Sequence, residues 1–293
     1  MPARTAASLF ARLEPLLPSV QKPIQYVGGE LNSTLKDWGD DAVSPMVRWA
    51  LMYPDAYEIG LPNQGVQILY EVLNERDWIM AERTYSVWPD MEKVMRAGDA
   101  QGSIPQFTVD NHRPVRAFDV FGVSFSTELG YTNFLTAVDL AGIPLHAVDR
   151  TDEDPIVIAG GHAAFNPETI ADFVDAAVLG DGEEVVLAIS EVIREWKQEL
   201  AERDSSFDSG RGPSDELLYR LAVSGGVYVP KFYDVDYLPD GRIKRVVPNT
   251  SGVPWRVRKH TLMDLDSWPY PRKPLVPLAE TVHERFSVEI FRG

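Results

Sequence analysis

Residues 47–200 repeat one pattern, in which a short apolar run is followed by a stretch whose apolar residues recur every three or four positions. The short runs predict buried strands, and the periodic stretches predict helices packed on one face. Strands that alternate with helices are typical of a parallel sheet with crossover connections. The pattern therefore predicts an α/β domain over 47–200, most simply a flavodoxin-like (Rossmann-like), doubly wound parallel sheet. The apolar runs are VRWALMYP (47–54), WIMAERTY (78–85), DVFGVSFS (119–126), PIVIAGG (155–161) and AAVLGDGE (176–183).

Turn and cap residues mark the ends of the helices between these runs. A helix over about 65–74 carries apolar residues at the spacing of one face, and the next begins near Pro89 and ends at Gly98. Proline at the start and glycine just past the end is the order that helix ends favour. A further helix ends at 141–142, and the last predicted one runs from Glu183 to about residue 200. The proline-containing stretch 104–114 is either a connection or an edge strand.

Two segments flank this domain. Residues 1–46 form a lead-in, with a helical stretch SLFARLEPLLPSV and an extended stretch KPIQYVGGELN that turns at Gly28–Gly29. The polar stretch ERDSSFDSGRGPSDE marks a boundary, because its composition is that of a surface loop. Residues 201–293 then predict a linker, a short helix, a β-hairpin with a type I′ turn at Asp240–Gly241, a proline-rich extended connector and a terminal strand FSVEIFRG.

Composition narrows the classes of function. The 293 residues carry a formal net charge of −16 and contain no cysteine and five histidines, none paired at i and i+4. An acidic surface repels phosphate backbones, so we expect no autonomous nucleic-acid binding. Without thiolates the chain cannot hold a disulfide, a thiolate zinc site or an iron–sulfur cluster. No long apolar run or signal pattern is present, so we expect no membrane partner and a cytoplasmic protein.

Small and polar residues follow four of the predicted strands, at the edge where ligands bind open parallel sheets. Glycine lets a backbone approach a ligand closely, and short hydroxyls bind one without filling the space. A plain turn, or an acidic first turn of a helix, explains each feature taken separately. Their occurrence on successive strand ends makes them candidates. The candidate site residues are Asp55, Tyr57, Gly60, Ser124, Ser126, Gly160, Gly161, His162, Gly182 and Glu183.

The motifs PDAYEIG, GVSFSTELGYTNFLTAVDLAGIPL, IAGGHAAFNPE and AVLGDGEE resemble the cobalamin-binding-type N-terminal domain of radical SAM proteins. Together with KPIQYVGGELNS and GGVYVP they resemble, more narrowly, a bacterial family of radical SAM proteins of uncharacterised function. The resemblance covers the chain from about residue 22 onward. It implies a flavodoxin-like domain that holds a corrinoid across the strand ends, with the nucleotide tail of the corrinoid reaching into the sheet.

The resemblance also implies a role for every candidate residue except His162. The loop Asp55–Gly60 would lie beneath the corrin, Ser124 and Ser126 beside the tail, Gly160 and Gly161 against it, and Gly182 and Glu183 at the far wall. Tyr57 stands where the related Asp-x-His-x-x-Gly loops carry a histidine, and it cannot supply an imidazole nitrogen to cobalt. Three interpretations of Tyr57 stay open: it lies under cobalt without binding it, it fills the site of a domain that no longer binds cobalamin, or it is an ordinary buried tyrosine in a turn.

In radical SAM proteins the strand resembling FSVEIFRG leads into a Cys-x-x-x-Cys-x-x-Cys loop that holds a 4Fe-4S cluster for S-adenosylmethionine. The resemblance therefore implies that this sequence is the N-terminal part of a longer enzyme and is not catalytic by itself. The cluster and S-adenosylmethionine would belong to the full-length parent only. The implied partner is the radical SAM barrel of the same full-length chain, to which the hairpin and extended connector lead.

Three classes of function remain at this point. The first is a cobalamin-binding domain of a radical SAM enzyme. The second is a cofactor-free substrate-recognition or interaction domain, in which Tyr57, Phe125 or His162 fills the space above the strand ends. The third is a nucleotide or flavin binder, which is weakly supported because no Gly-x-Gly-x-x-Gly follows the first strand.

Overall fold

Eight strands in two sheets make up the β structure of the residues described. The computed structural model describes residues 7–41, 44–203, 212–282, 285 and 287–290. One sheet has the order β2-β1-β3-β4-β5-β6, and β7 pairs with β8 alone. Strands β1 to β5 are mutually parallel, and β6 is antiparallel to β5. The strands are β1 Val47–Tyr53, β2 Ile79–Tyr85, β3 Val120–Ser124, β4 Ile156–Gly160, β5 Ala176–Val178, β6 Val227–Tyr228, β7 Tyr233–Tyr237 and β8 Ile243–Pro248.

Helices flank the large sheet, which makes the protein an α/β fold with a mostly parallel sheet. The α-helices are α1 Ala7–Leu13, α2 Tyr57–Gly60, α3 Gln64–Asn74, α4 Pro89–Ala97, α5 Tyr131–Leu140, α6 Glu183–Arg203 and α7 Asp215–Val223. Short 3₁₀ helices lie at Glu14–Ser19, Pro23–Tyr26, Val115–Ala117, Glu128–Gly130, Ala147–Asp149, His162–Phe165, Pro167–Thr169, Ala171–Phe173, Pro230–Phe232 and Leu265–Ser267. None of the helices in the described ranges is long and apolar enough to cross a membrane.

Both faces of the sheet are covered, which is why its strands are nearly continuous apolar runs. On one face, the indole N–H of Trp49 on β1 donates to Ser190 Oγ of α6 over 2.9 Å. On the other face, the ring of Phe121 on β3 packs against Phe134 of α5, with 6.4 Å between the ring centroids. Helix α3 contacts α6 and therefore shares the Trp49 face.

The predicted strand and helix order of residues 47–200 is confirmed. Helix α3 starts one residue before the predicted position, where the Asn63 side chain accepts from the Val66 backbone N–H over 3.0 Å. Helix α4 begins at Pro89, and Gly98 follows its last residue with a φ of 63°. Helix α6 continues to Arg203, past the predicted end near residue 200.

The region after α6 differs from the prediction in two ways. The stretch predicted as one hairpin is divided, because β6 joins the large sheet beside β5 and only β7 and β8 form a hairpin. Its turn is not type I′: Gly241 has a φ of 84°, whereas Asp240 keeps a negative φ. The Gly241 N–H donates to Leu238 O and the Leu238 N–H to Arg242 O, so three residues close the loop instead of two.

Other stretches predicted as extended differ as well. In KPIQYVGGELN, Pro23–Tyr26 form a 3₁₀ helix, although the turn at Gly28–Gly29 is confirmed by φ values of 63° and 90°. For the stretch 104–114, the first of the two predicted alternatives is confirmed: it is a connection, with one isolated bridge from Phe107 to Pro114. In FSVEIFRG, the described residues 287–290 are not in a strand, and the remainder lies outside the described residues. An alternating pattern forms a strand only where a neighbouring strand pairs with it.

Candidate ligand-binding cavity at the strand ends

A cavity of about 690 Å³ opens where the parallel strands end. The wall around its opening is formed by the loops after β3, β4 and β5 and by the first turns of α3 and α6. From the strand ends the cavity continues between the sheet and these two helices, where it is lined by Trp49, Leu51, Gly122 and Ile158. Small-molecule sites in proteins have volumes of roughly 300–1,000 Å³, so a cavity of this size accepts a ligand or a large part of one.

Two serine hydroxyls stand at the end of β3. Ser124 is half-buried and Ser126 is exposed, and both line the cavity. The Tyr53 hydroxyl donates to Ser126 Oγ over 3.2 Å. Ser126 therefore keeps its own proton to donate, and both hydroxyls are available to polar groups of a ligand.

Two adjacent glycines end β4 for different physical reasons. Gly161 has a φ of 87°, and a Cβ there would lie 2.5 Å from the carbonyl oxygen of Phe125, so the backbone itself requires glycine. At Gly160 a Cβ would meet only the carbonyl oxygen of Val123, at 4.0 Å. Its missing side chain enlarges the cavity. His162 follows at the mouth and is exposed.

The loop after β5 forms the opposite wall. A Cβ on Gly182 would lie 3.0 Å from a methyl carbon of Leu69 on α3, so a side chain there would push into the cavity wall. Glu183 begins α6 and is 3% exposed. The dipole of α6 places a partial positive charge at its first turn, which favours polar ligand groups at this wall.

The segment Lys259–Leu262 completes this wall, a role the sequence did not indicate. Gly180 and His260 form a parallel bridge, in which the His260 N–H donates to Leu179 O over 2.7 Å. His260 Nε2 lies 2.9 Å from a carboxylate oxygen of Glu184. His260 Nδ1 is buried and has no hydrogen-bond partner within the described ranges. Only the folded chain brings His260 next to Gly180, about eighty positions away, so no local pattern could have revealed it.

Seven of the ten candidate residues thus line one cavity, and three do not. Those that line it are Ser124, Ser126, Gly160, Gly161, His162, Gly182 and Glu183. Asp55 instead lines a smaller cavity formed with α4 and α5. A Cβ on Gly60 would lie 2.6 Å from the ring of Tyr85, so this glycine is required by packing.

Tyr57 is buried away from the cavity, with 1% of its surface exposed. Its ring packs edge-on against Tyr85, with 5.5 Å between the centroids, and its hydroxyl oxygen accepts from the Leu278 N–H over 3.3 Å. Burial, together with the nearby carboxylate of Glu30, raises the pKa of Tyr57 well above its usual value, so the phenol stays neutral. This geometry is that of an ordinary buried tyrosine, as in the third interpretation above, although Tyr57 lies in the short helix α2 instead of a turn.

The family model described as "Radical SAM proteins, N-terminal" matches residues 65–230, more than half of the chain. No curated protein and no solved structure matches the chain. The matched range contains all seven cavity residues named above and excludes both the Asp55–Gly60 loop and the Lys259–Leu262 segment.

Proposed function

Because this chain belongs to the family described as "Radical SAM proteins, N-terminal", we propose that its α/β domain binds cobalamin in the cavity at the strand ends. The first five strands follow the order 2-1-3-4-5, which is the flavodoxin-like order, and such sheets bind ligands beyond the carboxyl ends of their strands. The observation that carries the proposal is the cavity, which begins at those strand ends and continues between the sheet and helices α3 and α6.

The lining of the cavity fits a ligand that has a nucleotide tail. The deep part has a floor at Gly122, where a Cβ would already touch the Trp49 ring at 3.1 Å, and it suits the nucleotide tail. The hydroxyls of Ser124 and Ser126 and the start of α6 would bind polar groups of that tail. The open wall at Gly160 would lie against that tail, and the exposed His162 would contact the corrin side. When bound, cobalamin would supply methyl-transfer chemistry.

The proposal includes cobalt without a histidine ligand from the Asp-x-Tyr-x-x-Gly loop. Tyr57 contacts Tyr85 and Leu278 and not the cavity, so its hydroxyl is engaged elsewhere. We place the 4Fe-4S cluster and S-adenosylmethionine on a separate radical SAM barrel, because a cluster needs thiolates and these 293 residues contain no cysteine. The role of this domain would be to hold and orient the cofactor.

A cofactor-free recognition domain is the alternative, and the geometry favours it less. That function predicts that Tyr57, Phe125 or His162 fills the space above the strand ends. Tyr57 lies elsewhere, Phe125 is fully buried in the core beside Tyr131 and Phe134, and His162 is exposed at the mouth. The space that these side chains would fill is open.

Retention of hydroxocobalamin tests the proposal. Protein incubated with hydroxocobalamin and then desalted should keep the visible absorption bands of the corrinoid at about one equivalent. Gly160→Leu should abolish retention, because a Cβ at this position meets only the carbonyl oxygen of Val123, at 4.0 Å, and the rest of the side chain enters the cavity. Lys93→Leu, which adds the same side chain at an exposed position of α4, is the matched control and should retain cobalamin. Colourless wild-type protein would refute the proposal.

A further inference from the structure

A second cavity, of about 300 Å³, lies on the other face of the sheet from the first, at the ends of β1 and β2. Helices α4 and α5 close it. Its polar lining residues are Asp55, Ser86, Glu92, Gln106, Asn133 and Thr136. Nothing in the proposed cobalamin site uses this cavity.

Gln106 presents an acceptor to this cavity. The residue is 1% exposed, and its Nε2 donates to Thr84 Oγ1 over 2.8 Å and to Tyr85 O over 2.9 Å. The Thr84 hydroxyl itself donates to Phe107 O, so both partners of Nε2 need a donor and the orientation of the amide is fixed. Gln106 Oε1 is then left buried with no hydrogen-bond partner in the described part of the chain.

The other polar side chains also have acceptors left over. Asn133 donates an N–H to Pro54 O over 3.0 Å, and the Thr136 hydroxyl donates to Thr132 O over 3.2 Å. Ser86 Oγ is a second buried oxygen for which the described residues offer no partner. A buried oxygen without a partner costs free energy of about 1–3 kcal/mol, so such a group marks a place where a bound donor is favoured.

The charge of the lining residues also favours a bound group that is positively charged. The carboxylates of Asp55 and Glu92 both line the cavity, and among the described residues no lysine or arginine lines it. Asp55 Oδ1 accepts from the Ala56 N–H over 2.8 Å, while Glu92 pairs with Arg96 at the surface. We propose that this second cavity binds the protonated primary amine of a small molecule. An ammonium group carries three donors and one positive charge, which complements unpartnered oxygens and carboxylates.

The test uses n-butylammonium chloride as the probe and butan-1-ol as its neutral control. Titration into protein free of cobalamin, followed by NMR of the side-chain amides, should shift the Gln106 and Asn133 signals saturably with butylammonium and not with butanol. Equal shifts with both compounds, or no saturable shift, would overturn the proposal; the second result would mean that the cavity holds only water.

Matched variants locate the charge that matters. Asp55→Asn keeps an acceptor for the Ala56 N–H and removes the carboxylate, so the affinity for butylammonium should fall by about fivefold. Asp77→Asn makes the same change at an exposed position away from the cavity and should leave affinity unchanged. Glu92→Gln gives a second measurement if Asp55→Asn does not fold. Equal affinities of both cavity variants and wild type would contradict the assignment. Hydroxocobalamin retention by Asp55→Asn should remain normal, which separates this inference from the proposed function.

Discussion

The chain segments at the ends of β1 and β4 both contain glycine, but the two glycines serve different purposes. In the β1 loop, Gly60 is packed against the ring of Tyr85 and the Cβ of Tyr53, and Tyr57 is buried beside it. At the end of β4, Gly160 is the last residue of the strand and faces open space at the wall of the large cavity. One glycine is there to allow packing and the other leaves room for a ligand. A glycine at a strand end is therefore a site candidate only when the space beside it is empty.

The surroundings of the β1 loop explain why it is packed so tightly. Arg83, from the middle of β2, is fully buried and forms ion pairs with Asp110 at 2.6 Å and Glu30 at 2.9 Å. Glu30 comes from the lead-in stretch KPIQYVGGELN, so that stretch neutralises a buried guanidinium. The Arg83 cluster beside the β1 loop is thus a stability element, whereas the ends of β3 to β5 border the large cavity.

The largest effect we expect is on the buried ion pairs of the β1 side. Arg83→Met leaves two carboxylates in an apolar surrounding without a cation, which should lower the free energy of unfolding by about 3–5 kcal/mol. Urea denaturation monitored by circular dichroism measures it.

A partly exposed ion-pair cluster between α6 and α7 supplies the control for that measurement. Arg220 pairs with Glu199 and Glu216, each at 2.7 Å, and all three side chains are partly exposed. Arg220→Met should therefore cost at most about 1 kcal/mol. Similar losses for the two arginine variants would mean that the Arg83 cluster is not the stability element described above.

The next effect is intermediate and tests the two glycines directly. In Gly60→Ala the new Cβ would lie 2.6 Å from the Tyr85 ring and 3.1 Å from Tyr53 Cβ, so overpacking should lower the free energy of unfolding by about 1–3 kcal/mol. In Gly160→Ala the methyl group enters open space at a φ that alanine adopts, so the change should stay within about 0.5 kcal/mol. Thermal or urea denaturation of the two variants measures both changes. A larger loss of unfolding free energy in Gly160→Ala than in Gly60→Ala would contradict the roles assigned to the two glycines.

Local patterns were sufficient to predict much of this fold. The run DVFGVSFS is buried on both faces and gives β3, and the proline and glycine at 89 and 98 delimit α4. Strand β6 has only two residues, too few for any periodicity, and its antiparallel pairing with β5 depends on the distant position of the chain after α7. Tertiary contacts, and not the local sequence pattern, determine that this segment forms a strand.

The site was predictable only in part, for a related reason. The residues after β3, β4 and β5 lie at strand ends that the sheet topology brings together, so Ser124, Gly160 and Gly182 meet in one cavity. The topology also brings the end of β1 to this edge, but it does not say on which face the loop packs. Tyr57 is turned away by its contacts with Tyr85 and Leu278. The missing information concerns packing between segments far apart in sequence.

We expect no effect on cobalamin binding when the histidine of the Asp-x-His-x-x-Gly pattern is introduced at position 57. Because position 57 faces Tyr85 and not the cavity, Tyr57→His should retain hydroxocobalamin within about twofold of wild type. After reduction to the cob(II)alamin form, its EPR spectrum should match that of wild type, with no additional nitrogen splitting. Labelling histidine with ¹⁵N identifies any splitting that a protein imidazole causes, and Tyr57→Phe controls for the lost hydroxyl. A histidine-dependent splitting found only in Tyr57→His would place the β1 loop beneath cobalt and remove the difference between the two loops.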